Sequence, residues 1–274
     1  MPAEGLLLSW NVAGRVGERQ EAQLAALAHQ DFDVLCLQEI TPTTGARWLE
    51  ALTARGLHVA LSEWPPAPRA PTRRLATLIA ARAPLDVVPH LGIPWPERHL
   101  AARTLLGEIA CEVHCLHAPT SQKGEQVKVR TLEAVAAALA AASDVARIVA
   151  GDFNTPRYES REGEIVTFAR TSTGRLRPDY GERHDRAELA LIEALPRAGW
   201  SDAFRALHGY GRRDRSWKGY HAGPGYRLDH IVLSPGLRAL ACDYLHEWRE
   251  RRLSDHSPMW ARIAPAPARA DACA

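Results

Sequence analysis

The stretch from Ile148 to Pro156, reading Ile-Val-Ala-Gly-Asp-Phe-Asn-Thr-Pro, constrains this chain more than any other. Its short apolar run reads as a buried strand, and Gly151 lets the backbone turn closely at the strand's end. Asp152 and Asn154 follow one residue apart, and Pro156 stops further pairing. An acid beside an amide at a strand's end is poor core material. It is good material for holding a water and a phosphate.

Other stretches repeat the arrangement. Residues 6–12 form an apolar run ending in Trp10-Asn11 and broken by Gly14, and residues 33–39 form a second that ends in Gln38-Glu39. A central strand has little reason to finish on a carboxylate unless its end opens into something polar. Residues 104–117 hold one or two strands. Within them Ile109, Cys111, Val113 and Cys115 share a face by the two-residue period, and His117 continues that face at the edge. Two further strands begin with their acids: 227–233, through Leu228-Asp229-His230, and 259–263, through Ser254-Asp255-His256-Ser257-Pro258. Asn11, Glu39, His117 and Asp152 thus sit at strand exits, and Asp229, Asp255 and His256 at strand entrances. In a mixed sheet the exits of one strand set share an edge with the entrances of the antiparallel set. One polar pocket at that edge is expected to gather all seven. The alternatives are an edge histidine satisfied locally for His117 and a simple turn residue for Asp255.

Between these strands the spacing predicts helices over 18–29, 46–55, 128–142 and 186–197, and a short one after Ser201. Short strands are expected at 57–61, 75–81 and 85–89, and a stiff proline-rich surface loop at 64–69. A long arginine-rich loop, with Arg157 and Arg161, separates Asn154 from Asp185. Loops of that length in a compact domain are usually functional or mobile. Arg212, Arg213, Arg215, Trp217 and Lys218 form a basic and aromatic cluster ahead of Gly225. Both groups flank the polar motifs, so contact with a phosphate backbone is expected, with Trp217 stacking on a base. Plain solvated surface is the alternative.

Length and composition add limits. The 274 residues suit one domain, taken as 1–264 with a frayed tail at 265–274, and the net charge of +2 argues little about partners. Five cysteines form no Cys-x-x-Cys pair, which reads as reduced thiols. A metal held by Cys111 and Cys115 is open, although strand alternation favours core packing. No signal peptide or membrane span is evident, so a cytoplasmic, monomeric protein without a membrane or protein partner is the default expectation.

Glu39, Asp152, Asp229 and Asp255 gathered at one edge would repel one another unless a cation or protons neutralised them. Oxygen donors without cysteine favour Mg²⁺ or Mn²⁺ over zinc. A hard cation beside a base and a histidine suits phosphoester hydrolysis.

Trp10-Asn11, Gln38-Glu39, Gly151-Asp152-Phe153-Asn154, Leu228-Asp229-His230 and Ser254-Asp255-His256-Ser257-Pro258 resemble, in order and spacing, the motif series of the endonuclease/exonuclease/phosphatase family. Within it the chain is most similar to exonuclease III-like and DNase-like bacterial members. The resemblance implies a four-layered α/β sandwich of two facing mixed sheets between helices. It implies Glu39 as the main metal ligand with Asp255 nearby, and Asn11 on metal or phosphate. Asp152 is then the base acting on water, with Asn154 beside it. Asp229 holds His256 against the scissile phosphate, and His117 assists the phosphate or the leaving group. The implied activity is a metal-dependent DNA nuclease, as a 3′-exonuclease or an abasic-site endonuclease. The other readings are an RNA nuclease, and a phosphatase or phosphodiesterase acting on a small molecule or lipid head group. The position two residues after Asn11, an Asp or Asn near the metal in many abasic-site relatives, is Ala13. That departure bears on a second metal.

Overall fold

The computed structural model describes residues 3–67, 73–120, 126–219, 223 and 225–267. In chain order it begins with β1 (Gly5–Asn11), α1 (Glu18–Ala28), β2 (Val34–Ile40), α2 (Pro42–Ala54), β3 (His58–Leu61), β4 (Ala76–Ala81) and β5 (Asp86–Val88). A 3₁₀ turn at Pro96–Arg98 leads into β6 (His99–Leu106), followed by β7 (Ile109–His117), α3 (Val127–Ala140) and β8 (Ala146–Asp152). Then come β9 (Tyr158–Glu159), β10 (Ile165–Val166) and α4 (Gly181–Leu189), whose helical path continues through a π turn to Arg197. The chain closes with β11 (Ser201–Asp202), α5 (Ala203–His208), β12 (Asp229–Leu233), β13 (Leu237–Tyr244), α6 (His246–Glu250) and β14 (Met259–Pro265).

Two six-stranded sheets result, ordered β13-β14-β1-β2-β4-β3 and β11-β12-β8-β7-β6-β5. Each is mixed: β1 runs parallel to β2 and β7 parallel to β8, and the remaining pairs are antiparallel. Alternation along the strands explains the layering. From β1, Leu7 joins Val34, Ile79, Val113, Ile148 and Ile231 in a core between the sheets. Its neighbours Leu8 and Trp10 face the other way, onto Leu27, Trp48 and Leu52 of α1 and α2. In the second sheet Ile148 and Ala150 face the inter-sheet core, whereas Val149 packs against Val129, Leu132 and Leu191 on the helical side. Each fully buried Leu or Ile contributes about 1.5–3 kcal/mol, so both faces of both sheets must be covered. The result is the expected four-layered α/β sandwich.

Several elements differ from the sequence expectation. Helix α2 starts at Pro42 rather than 46 because Thr41 and Thr44 form a reciprocal capping box. The stretch expected as one or two strands is two, split at Gly107, and the first begins at His99. The arginine-rich loop is not structureless: β9 and β10 pair within it, and Arg170 is ion-paired with Asp185 at its far end. Strand β13 and helix α6 had no clear periodic signal. Of the tail expected to fray over 265–274, Pro265 closes β14 and Ala266 donates its N–H to the Gly236 carbonyl, whereas residues from 268 onward, with Cys273, lie outside the described residues, as does part of the proline-rich loop. The described cysteines, Cys36, Cys111, Cys115 and Cys242, are buried, and Cys111 and Cys115 pack in the core between the sheets. No helix among the described residues is long and apolar enough to cross a membrane.

Candidate active site

The exits of β1 and β2 carry the first two polar groups. Between Leu37 and Ile40 the β2–β4 ladder shifts register, and Glu39 takes a left-handed backbone with φ 63°. A bulge in that conformation is costly for a non-glycine residue, and it turns the carboxylate out of the core. Asn11 reaches it: its Nδ2 donates to Glu39 Oε1 at 3.3 Å and to Asp152 Oδ2 at 3.0 Å. The Asn11 Oδ1 accepts the Ala13 N–H at 2.9 Å. In this arrangement Asn11 is a donor between two carboxylates and presents its nitrogen, not an oxygen, to Glu39; this departs from its expected place among the metal ligands. The other Glu39 oxygen lies 3.5 Å from Arg73 Nη1, which also donates to the Ala13 carbonyl at 3.2 Å.

The second sheet supplies the rest by register. His117 of β7 pairs with Asp152 of β8, and Asp152 in turn pairs with Asp229 of β12. Gly151 is required here: at φ 142°, a Cβ would meet the Leu116 carbonyl oxygen at 1.9 Å. Asn154, also left-handed at φ 51°, returns its own N–H to Asp152 Oδ1 at 2.8 Å and donates through Nδ2 to Ala118 O at 2.7 Å. Beneath this turn Lys128 donates to the Asn154 carbonyl at 2.7 Å and forms a buried ion pair with Glu188.

His256 arrives from the opposite end of the chain. Its backbone N–H donates to Ser254 Oγ at 3.1 Å, the Ser254 hydroxyl donates to the Asn11 carbonyl at 2.7 Å, and the Trp10 indole donates to the His256 carbonyl at 3.2 Å. Its Nδ1 donates to Asp229 Oδ2 at 2.9 Å, and its Nε2 stands 3.8 Å from Asp152 Oδ2. Asp229 is itself fixed through its backbone, whose N–H donates to Ser216 Oγ at 3.0 Å and whose carbonyl accepts the Tyr244 hydroxyl at 2.7 Å. His117 completes the group, with Nε2 3.8 Å from both Glu39 Oε1 and Asp152 Oδ2.

Electrostatics separates these groups. Burial, reinforced by the Asp229 charge and opposed by that of His256, pushes the Asp152 carboxyl up to about 7. Burial alone would lower His256, but the charges of Asp229 and Asp152 outweigh it and raise the imidazole to about 10. Burial and the Arg98 guanidinium hold His117 well below the usual histidine range. One histidine is therefore cationic and the other neutral at physiological pH.

The remaining expectations divide. Asp255 stands apart from Glu39's contacts: its Oδ2 accepts the Trp217 indole N–H at 3.1 Å, and Oδ1 lies 3.6 Å from Arg15. Trp217 donates that bond and stacks on Tyr226 at 5.6 Å, which fixes its ring against the protein on that side. Arg212 is taken up by Asp243 of β13 at 2.6 Å. Arg161 and Lys218 are exposed and stay outside the cavity formed by their neighbours. Arg157, Arg213 and Arg215 do converge, in a cavity of about 350 Å³ also lined by Tyr226, Arg205 and Arg227. Arg205 and Arg227 are neutralised there by Glu159, at 2.6 and 2.7 Å. The other three guanidiniums leave the cavity cationic. Arg98 and Lys128, which the sequence reading missed, contact the site from within the fold.

The residues fit a hard cation. Glu39, Asp152 and Asp229 supply carboxylates, and Asp229 Oδ1 is buried without a hydrogen-bond partner. Among the described residues no three His, Cys, Asp or Glu side chains form a ready-made ligand cluster. An ion held here would take few protein ligands, and water and substrate oxygens would supply the others.

Proteins of known structure share this fold. No curated protein matches in sequence. Among solved structures, an AP endonuclease from Archaeoglobus fulgidus is similar with a TM-score of 0.69 at 20% identity, over 93% of this chain and 98% of that one. TDP2 from D. rerio in complex with a single-strand DNA product gives 0.66 at 18%, over 95% and 98%. The 3′ phosphatase NExo from Neisseria bound to a product DNA hairpin gives 0.64 at 20%, over 94% and 98%. These likenesses carry the fold. The family model described as "Endonuclease/Exonuclease/phosphatase family" matches residues 8–256, nearly the whole chain, and the protein is a member of that family of phosphoester-hydrolysing, divalent-metal-using enzymes.

Proposed function

We propose that the protein is a Mg²⁺- or Mn²⁺-dependent phosphodiesterase acting on DNA. The observation that carries this reading is the setting of Asp152, a buried carboxylate held by Asn11 and Asn154 and standing 3.8 Å from the Nε2 of both His117 and His256. A carboxylate poised near working pH suits a general base. Asp152 takes a proton from water as the water oxygen attacks phosphorus in line, and the P–O bond to the leaving oxygen breaks. Asn154 and Asn11 hold the Asp152 carboxylate in one orientation. The His256 imidazolium, oriented by Asp229, steadies charge on the phosphoryl oxygens. Glu39 would hold the ion, its carboxylate lying 3.3 Å from Asn11 Nδ2 at the exit of β2. When bound, the ion supplies Lewis-acid neutralisation of the phosphate. The cationic cavity of Arg157, Arg213 and Arg215 begins at Pro156, four residues past Asp152, and suits a second phosphate of the same strand. The DNA products bound to TDP2 and NExo support DNA over a small phosphoester.

The test is product analysis on end-labelled duplex DNA, intact, nicked and carrying one abasic site, with Mg²⁺, Mn²⁺ or EDTA. Cleavage that requires metal and is lost in Asp152→Asn is the expected result, and the ladder separates exonuclease from abasic-site incision. Absence of cleavage on every DNA would overturn the DNA assignment and direct the search to RNA and small phosphoesters.

A further inference from the structure

Lys128 of α3 and Glu188 of α4 form an ion pair sealed inside the fold, their side chains 1% and 0% exposed. A pair buried this deeply is poor evidence of stability, because the cost of taking two charges out of water offsets their attraction. Its other contacts give it a use. Lys128 Nζ donates to the Asn154 carbonyl at 2.7 Å. Glu188 Oε2 accepts the Phe168 N–H at 2.6 Å and lies 3.5 Å from the Thr155 hydroxyl, and Oε1 stands 3.2 Å from His184 Nε2. Two helices are thereby tied to the turn that follows Asp152 and, at Phe168, to the arginine-rich loop.

Asn154 is left-handed at φ 51°, a conformation that a short polar side chain tolerates but does not enforce. Its N–H reaches back to Asp152 Oδ1 at 2.8 Å only while the turn keeps that shape. The side chain is anchored through Nδ2 to Ala118 O at 2.7 Å. The Lys128 bond anchors the carbonyl, and with it the orientation of the peptide between Asn154 and Thr155. An ammonium donates a stronger hydrogen bond than a neutral group does, and burial shields this one from water.

We infer that Lys128, with its charge balanced by Glu188, is a positioning residue that pins the Asn154 peptide, so that the Asn154 N–H keeps the Asp152 carboxylate in one orientation. The consequence for turnover rests on the phosphodiesterase reading above; the pinning does not. The buried pair then serves the geometry of the turn, and an apolar pair of the same size could hold the helices together without it.

Amide hydrogen exchange of the full chain, with EDTA present and no substrate, reads the pinning directly. In the wild type the Asn154 N–H should be protected. Lys128→Met alone leaves the Glu188 charge buried and uncompensated and should destabilise the fold. Lys128→Met combined with Glu188→Gln removes both charges and keeps an acceptor for the Phe168 N–H, so this double variant should melt close to the wild type. Its Asn154 N–H should exchange about tenfold faster or more, the scale of one lost hydrogen bond to a charged group, while amides within β7 and β8 keep their protection. On DNA with Mg²⁺ its kcat should fall about 10²-fold, the cost of a small misplacement at a reacting group, with KM little changed. A wild-type Asn154 N–H that exchanges as fast as an unstructured peptide would overturn the inference whether or not the double variant folds. So would a folded double variant with unchanged Asn154 exchange or undiminished kcat. The expected exchange pattern in a wild-type protein inactive on every phosphoester would uphold the pinning and overturn the functional reading instead.

Discussion

His117 and His256 approach the same atom, Asp152 Oδ2, each through Nε2 and each at 3.8 Å. They come from different sheets' edges and are held by opposite kinds of partner, an arginine for one and an aspartate for the other. The symmetry of position hides an asymmetry of charge, and the expected behaviour of variants follows from it.

Asp229→Asn keeps the shape of the His256 partner and removes its charge. The imidazole then loses its largest source of positive stabilisation. Turnover should fall about 10²–10⁴-fold with substrate affinity nearly unchanged. Steady-state kinetics beside a thermal melt checks this, and a full-rate variant would remove the dyad from the mechanism.

Glu39→Gln retains the bulge but offers one neutral oxygen in place of a carboxylate. Mg²⁺ affinity should weaken about tenfold or more, the scale seen even for residues behind a metal's ligands. Calorimetric titration of the metal alone reads this without substrate, and an unchanged isotherm would take Glu39 off the ligand set.

Replacing Arg157, Arg213 and Arg215 together by alanine empties the cationic cavity but leaves the Glu159 ion pairs intact. DNA affinity should drop and the slope of log affinity against log salt should flatten by about two to three. Arg161→Ala, outside the cavity, should change neither. Equal effects from both would mean diffuse surface attraction.

Acid should destabilise the fold through two buried carboxylates that take no direct part in the reaction. Burial would raise Glu159 and Glu188, but Arg227 and Arg205 around the first, and Lys128 and His184 around the second, hold each at about 2 against a usual 4.5. A depressed carboxylate contributes stability above its unfolded value and loses it as pH falls through its folded one. Denaturant midpoints should therefore decline between about pH 4.5 and about pH 2. Glu159→Gln should shrink that decline, and an unchanged profile would locate the acid sensitivity elsewhere.

What the sequence revealed and what it concealed have a common physical origin. Asp152, Asn154, Asp229 and His256 follow or precede apolar runs, so their neighbours along the chain announce a buried strand with a polar end. Arg98 carries no such signature. It matters through a partner nineteen residues away across a ladder whose register no local pattern fixes. Glu39 reads as a simple strand end, yet it stands on a bulge that only the mismatch between β2 and β4 reveals. Arg212 illustrates the opposite error: it resembles a phosphate contact until β13, a strand without clear periodicity, brings Asp243 to it. Nor does the sequence around Trp217 announce that its indole is bonded to Asp255.

The Ser254 hydroxyl bonded to the Asn11 carbonyl has a temporal meaning. It joins residues separated by almost the full length of the chain, and His256 donates its own N–H to the same hydroxyl. A polypeptide leaving the ribosome would carry Asn11 and Glu39 early but lack the imidazolium until its last strand had docked. Under the proposed function, hydrolysis is therefore expected only once the segment around Ser254 has docked against β1. A chain ended before Ser254 should bind DNA weakly and cleave none of it.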